Sequence, residues 1–145
     1  MRLTYRPGTR TGLLVAAAVL ALVVSGLVAG CSSSSTPAYC TDAANLKTSV
    51  SDLGNVDVAK NGLGSLQTAL TSVTSNAKMF AADAGSAFAP QTTALQNSLS
   101  GLQSAINSAK SQPSVTAASA VASSVTQVKS SASALQSAVS GSGKC

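Results

Sequence analysis

Between Cys40 and Cys145 the apolar residues recur at steps of three and four, a pattern that few backbone architectures accommodate. Ala43, Leu46, Val50 and Leu53 form a first run, and Leu63, Leu66, Leu70, Val73, Ala77, Phe80 and Ala84 form a second. Leu95, Leu99, Leu102, Ile106 and Ala109 form a third, and Ala118, Val121, Val125, Val128, Ala132, Leu135 and Val139 a fourth. The positions between them are almost all Ser, Thr, Gln, Asn, Lys or Ala. Steps of three and four keep side chains on one face of a helix, so each run predicts an amphipathic helix with a seam repeating near 3.5 residues. A strand reading fails because no segment alternates with period two.

The helix breakers agree with this division. Gly54-Asn55 ends the first run, Gly85-Ser86 and Pro90 flank the junction of the second and third, and Ser111-Gln112-Pro113-Ser114 separates the third from the fourth. Ser86 and Ser114 are candidate N-caps, and Asp57 is another if the second helix begins early. The expected helices lie near 41 to 53, 57 to 84, 87 to 110 and 114 to 140. Asn61-Gly62-Leu63-Gly64 leaves open whether the second starts near 57 or near 63.

The amino-terminal segment has a different composition. All three arginines of the chain, Arg2, Arg6 and Arg10, open it, and Gly12 to Gly30 follow without a charge. A basic start followed by an apolar run is the layout of an export signal, expected over residues 1 to 30. An uncleaved membrane-spanning helix is the alternative, since the run just reaches spanning length. The run closes on Val28-Ala29-Gly30-Cys31, which resembles the lipobox of bacterial lipoproteins. The resemblance implies cleavage between Gly30 and Cys31, with the Cys31 thiol carrying the lipid and the remainder held on the extracytoplasmic side of the cell membrane. Acyl chains contribute about 0.8 kcal/mol per buried CH₂, so two or more anchor a small domain. Residues 31 to 39, with four serines, Thr36 and Pro37, read as a flexible tether open to glycosylation, and residues 40 to 145 as the folded domain. The small size, the lipobox, the tether and the Ala/Ser-rich helices together resemble small helical lipoproteins of high-GC Gram-positive bacteria.

Three cysteines make an odd count that the lipobox resolves. With Cys31 acylated, Cys40 and Cys145 remain as an even pair in an oxidising compartment and are expected to be bonded to each other. A free C-terminal thiol or an intermolecular bridge is the alternative. Such a bond bears on the number of helices. In an up-down-up-down bundle an even number of passes returns the chain to the end where it entered, while an odd number leaves the termini a helix length apart. A disulfide needs Cα atoms within about 7 Å, against about 39 Å for a helix of about 26 residues. The expected fold is therefore all-α, an antiparallel up-down-up-down bundle of four helices with a short first one. Three long helices with an extended segment over residues 40 to 60 would also satisfy the bond. Met79, Phe80 and Phe88 cluster near the second junction, which this reading puts at the end away from the cysteines, as a hydrophobic plug or an apolar docking site.

Little in the composition points to chemistry. The chain has no Glu, His or Trp, and only 3% of its residues are aromatic, so imidazole ligands and base-stacking surfaces are missing. Residues 31 to 145 carry six lysines and four aspartates, singly spread, which forms no track for phosphates and speaks against nucleic-acid binding. Gly62-Leu63-Gly64 has two glycines of a dinucleotide loop, but Gln67 stands where the third belongs. The four aspartates are too dispersed for a calcium loop, and no lysine is spaced to activate a particular serine. No catalytic residue, cofactor or metal site is expected. The expected role is that of a non-catalytic, lipid-anchored interaction, binding or spacer module of the cell envelope, with the membrane as one partner and a protein or cell-wall component as another. A carrier or sensor holding an apolar ligand between its helices is the alternative, and an enzyme using Ser, Lys and Asp is the third.

Overall fold

A computed structural model describes residues 36–145. The expected signal segment, the lipobox with Gly30 and Cys31, and the serines of the tether lie outside the described residues. The described chain forms four α-helices, α1 (Ala38–Gly54), α2 (Val58–Ala84), α3 (Ala89–Ser111) and α4 (Val115–Gly141), with a 3₁₀ turn over Gly85–Phe88. The boundaries follow from local chemistry. Pro37 stands just ahead of α1, so the helix starts three residues before the expected position and takes Ala38 and Tyr39 from the tether. The Asn55 N–H closes α1 on the carbonyls of Ser51 and Asp52. Asp57 caps α2, its Oδ1 accepting from the Lys60 N–H at 3.1 Å, and Ser114 caps α4 by accepting from the Ala117 N–H at 3.0 Å. Ser86 does not cap α3. It lies inside the 3₁₀ turn, and α3 opens without a side-chain cap, with Pro90 in its first turn.

The question of where α2 begins has a compound answer. The backbone is helical from Val58 but breaks at Gly62, whose φ of 71° and ψ of 175° lie outside the helical region. A side chain is strained at that φ, so glycine is the residue that accepts it. Residues 58 to 61 make one turn, and the long rod of α2 follows.

Each helix packs on its neighbours in sequence, α4 also packs on α1, and no Cα atoms of the diagonal pairs come within 8 Å. The result is an antiparallel ring of four, with α1/α2 and α3/α4 as the two most closely packed hairpins. Three long helices with an extended first segment are thereby excluded. The seams supply the core: Leu46, Leu53, Leu66, Val73, Phe80, Leu95, Leu102, Ile106, Val128 and Leu135 are almost wholly shielded from solvent. Ala77, Ala109 and Ala132 are buried among them and let the backbones approach closely. Two buried hydroxyls are satisfied by nearby carbonyls, Ser49 by that of Leu46 within α1 and Thr92 by that of Phe88 just ahead of α3.

Cys40 and Cys145 are bonded, with Cα atoms 5.6 Å apart at a sequence separation of 105. The bond joins the first turn of α1 to the residues following α4, as an even number of passes requires. The same parity corrects the expected position of the aromatic cluster. The junction of the second and third helices lies at the cysteine end, because α2 returns to the end from which α1 set out. Phe80 and Phe88 are there, with ring centroids 5.7 Å apart, and Tyr39 packs edgewise on them at 6.2 and 5.5 Å. Met79 is not part of this plug; it is 46% exposed on the outer face of α2.

Replacing both Cys40 and Cys145 by Ser should lower the unfolding free energy by about 3 kcal/mol while leaving the helical circular dichroism signal of the native state unchanged. In the intact protein Phe80→Ala should cost about 3–5 kcal/mol, whereas Met79→Ala should stay within about 0.5 kcal/mol, as measured by urea denaturation.

Candidate functional site

The seam does not stop where its partner stops. α1 has 17 residues and α4 has 27, so at 1.5 Å per residue α1 falls about 15 Å short. Beyond Gly54 the apolar faces of α2 and α4 continue without an opposing helix. Three seam residues consequently escape full burial: Leu63 and Val125 are half-buried and Ala118 is exposed. All three line a groove of about 520 Å³ that is open on one side. Leu53, Val56, Val58 and Val121 complete its apolar wall, and the groove lies at the end of the bundle opposite the disulfide. Its polar rim comes from Ser114, Thr126 and Lys129.

Lys129 is the one charged residue lining this groove, and its stem lies over Gly54. A β-carbon at position 54 would come 3.3 Å from Lys129 Cδ, so the absence of a side chain there gives the lysine its place at the rim. The ammonium makes no ion pair among the described residues; the one salt bridge there joins Lys60 to Asp57.

A second groove of about 650 Å³ runs along the α2/α3 face. Leu70, Ala77 and Leu99 form its floor, and Thr74, Lys78, Gln96 and Gln103 form its polar walls. This seam is less closely packed than those within the two hairpins, and at the groove-bearing end of the bundle a hydrogen bond from Lys110 to Gln67 crosses it.

At the cysteine end, two carboxyl groups distant in sequence come together. Asp42 lies in the first turns of α1 and Asp83 near the end of α2, and the antiparallel pairing brings them side by side. Asp42 Oδ2 is shielded from solvent and meets no donor. Desolvation raises the Asp42 carboxyl above its ordinary value, and a hydrogen bond and like charge from Asp83 raise it further. Neither carboxyl lines the grooves described above, so the pair does not face a substrate-sized space.

Of the residues singled out in the sequence, Cys40 and Cys145 are brought together, while Gly30 and Cys31 lie outside the described residues. All six lysines are exposed, and among the described residues no lysine ammonium donates to a serine; Lys110 reaches Gln67 and Lys60 reaches Asp57. The groove was not foreseen. Its signal was present in the first apolar run, which has four seam positions against seven in the second and fourth. The four aspartates are dispersed in sequence, and it is the antiparallel pairing of α1 and α2 that brings Asp42 to Asp83. No protein-family model, curated protein or solved structure matches this chain.

The carboxyl pair makes stability pH-dependent with a definite sign. Because the folded-state value of Asp42 is raised, protonation stabilises the bundle fully below the ordinary value of 3.8, and this contribution is lost as pH rises through the raised value. Asp83→Asn removes both the like charge and the partner carboxyl. Relative to the unaltered protein it should weaken the fall of stability across that window and leave the bundle no less stable at neutral pH, as followed by urea denaturation from about pH 3 to 7.

Proposed function

We propose that this chain is a non-catalytic, lipid-anchored binding module of the cell envelope. Cys31 carries the lipid, residues 32 to 37 form the tether, and the groove at the far end of the bundle is the binding face. The observation that supports this reading most strongly is the position of that groove. The chain enters the bundle at the disulfide end, whereas the apolar groove lies at the opposite end, where α1 stops short. A protein used only as a spacer would gain nothing from leaving apolar seam residues uncovered, since each exposed apolar group forgoes its contribution to folding. A half-open groove of about 520 Å³ falls within the range of about 300–1,000 Å³ typical of small-molecule sites. Among the described residues no helix is long and apolar enough to cross a membrane, so under this proposal attachment depends on the segment ahead of them.

The anchor is tested by labelling cells that express the full chain with an alkynyl fatty acid. The mature amino-terminal peptide should begin at Cys31 and carry the label, and Cys31→Ser should abolish labelling and leave the signal segment uncut. An unmodified Cys31 thiol in the membrane fraction would overturn the proposal.

A further inference from the structure

We propose that the groove takes the hydrocarbon tail of a single-chain carboxylate amphiphile, a free fatty acid, with the carboxylate meeting Lys129. This rests on the reading of the groove as a binding face and specifies what it holds. Four observations lead to it. The wall is formed by aliphatic side chains, among them Leu53, Leu63, Val121 and Val125, which offer a tail dispersion contacts and removal from water but no hydrogen bond.

The charge is a single ammonium at the rim, free of any ion pair among the described residues, with its stem lying over Gly54. One ammonium balances one carboxylate. A phosphate head, with up to two charges and more acceptor oxygens, is ordinarily met by several cations or by a guanidinium fork, and all the arginines of this chain lie within its first ten residues.

The size also discriminates. A volume of about 520 Å³ in a gap about 15 Å long lies in the lower half of the range for small-molecule sites and suits one chain better than the paired chains of a diacyl lipid.

The surroundings speak against a protein partner. A stable protein interface covers about 800 Å² per side around an apolar centre, yet among the described residues the exposed large apolar ones beyond the groove are Val115, beside its lip, and Met79, toward the other end. The remaining faces of the described helices are mainly Ser, Thr, Gln, Asn and Ala, with scattered Lys and Asp.

The test uses the full chain in phosphatidylcholine vesicles, exposed to a diazirine-bearing hexadecanoic acid and, separately, to the matching hexadecanol. After illumination the cross-linked peptides are mapped by mass spectrometry. The acid should label peptides containing Leu63 and Val121 to Val125. Val125→Trp, which fills the groove from a half-buried position, should reduce this labelling to background. Lys129→Gln should weaken labelling by the acid about threefold, the worth of one exposed ion pair, and leave labelling by the alcohol unchanged. Circular dichroism checks that both variants fold, and Lys129→Gln alters only an exposed side chain. Equal labelling by acid and alcohol in the unaltered protein would overturn the assignment of the carboxylate to Lys129 while leaving a binding groove in place. Labelling spread along all four helices and insensitive to Val125→Trp would overturn the proposed occupant. Neither result depends on how the chain is anchored, so failure here is distinguishable from failure of the Cys31 labelling.

Discussion

The ends of this bundle are set by one covalent bond, and the other features take their places from it. Cys40 and Cys145 can meet only if the chain makes an even number of passes, since one uncompensated helix would hold them tens of ångströms apart. Four passes put the start of α1, the end of α2, the start of α3 and the end of α4 at a common end. Tyr39, Phe80 and Phe88 pack there, Asp42 meets Asp83 there, and the short connections at Asn55 and Pro113 fall at the other end. The bond also compensates for a lean interior. Many inward positions are Ala or Val, which permit close helix approach but remove less apolar surface from water than Leu would. Restricting the unfolded chain by a loop of this length counts for more in such a protein than it would in one with a thicker core.

The groove has its origin in helix lengths rather than in any binding motif. A seam on α2 and α4 extends beyond the last residue of α1, and three of the apolar side chains left without an opposing helix are the seam positions that water reaches. The groove is thus continuous with the core and shares its chemistry, so it is aliphatic, shallow and poor in polar groups. Lys129 gives it a direction, with a cation on one side of an otherwise neutral opening.

Much of this arrangement was legible in the sequence, and what was not has a common cause. Spacing at three and four reports which face of a helix turns inward, and the seam residues from Leu66 to Ala109 are all buried as that spacing implies. Breakers report where helices end, and Gly54-Asn55, Asp57 and Ser114 act as their chemistry suggests. Spacing does not report which helix end lies beside which. The aromatic cluster therefore lies at the cysteine end and not, as the sequence suggests, away from it, and Asp42 and Asp83, distant in sequence, meet at that same end. Ser86 failed as a cap because Gly85, at a φ of 56°, leads the chain into a 3₁₀ turn before α3 can begin. Val56 and Val58, outside any seam, gave no sign that they would help to wall a groove.

Gly62 separates the turn over residues 58 to 61 from the rod of α2. The heptad register of α2 is set by Leu66 and the residues beyond it, so it does not depend on how the connection before Gly62 is built. That connection contributes Val56 and Val58 to the groove wall. Exchanges at Val56 therefore reshape the mouth of the groove while leaving the seam of α2 from Leu66 onward in register. The break at one glycine uncouples the shape of the groove mouth from the register of the rod that follows it.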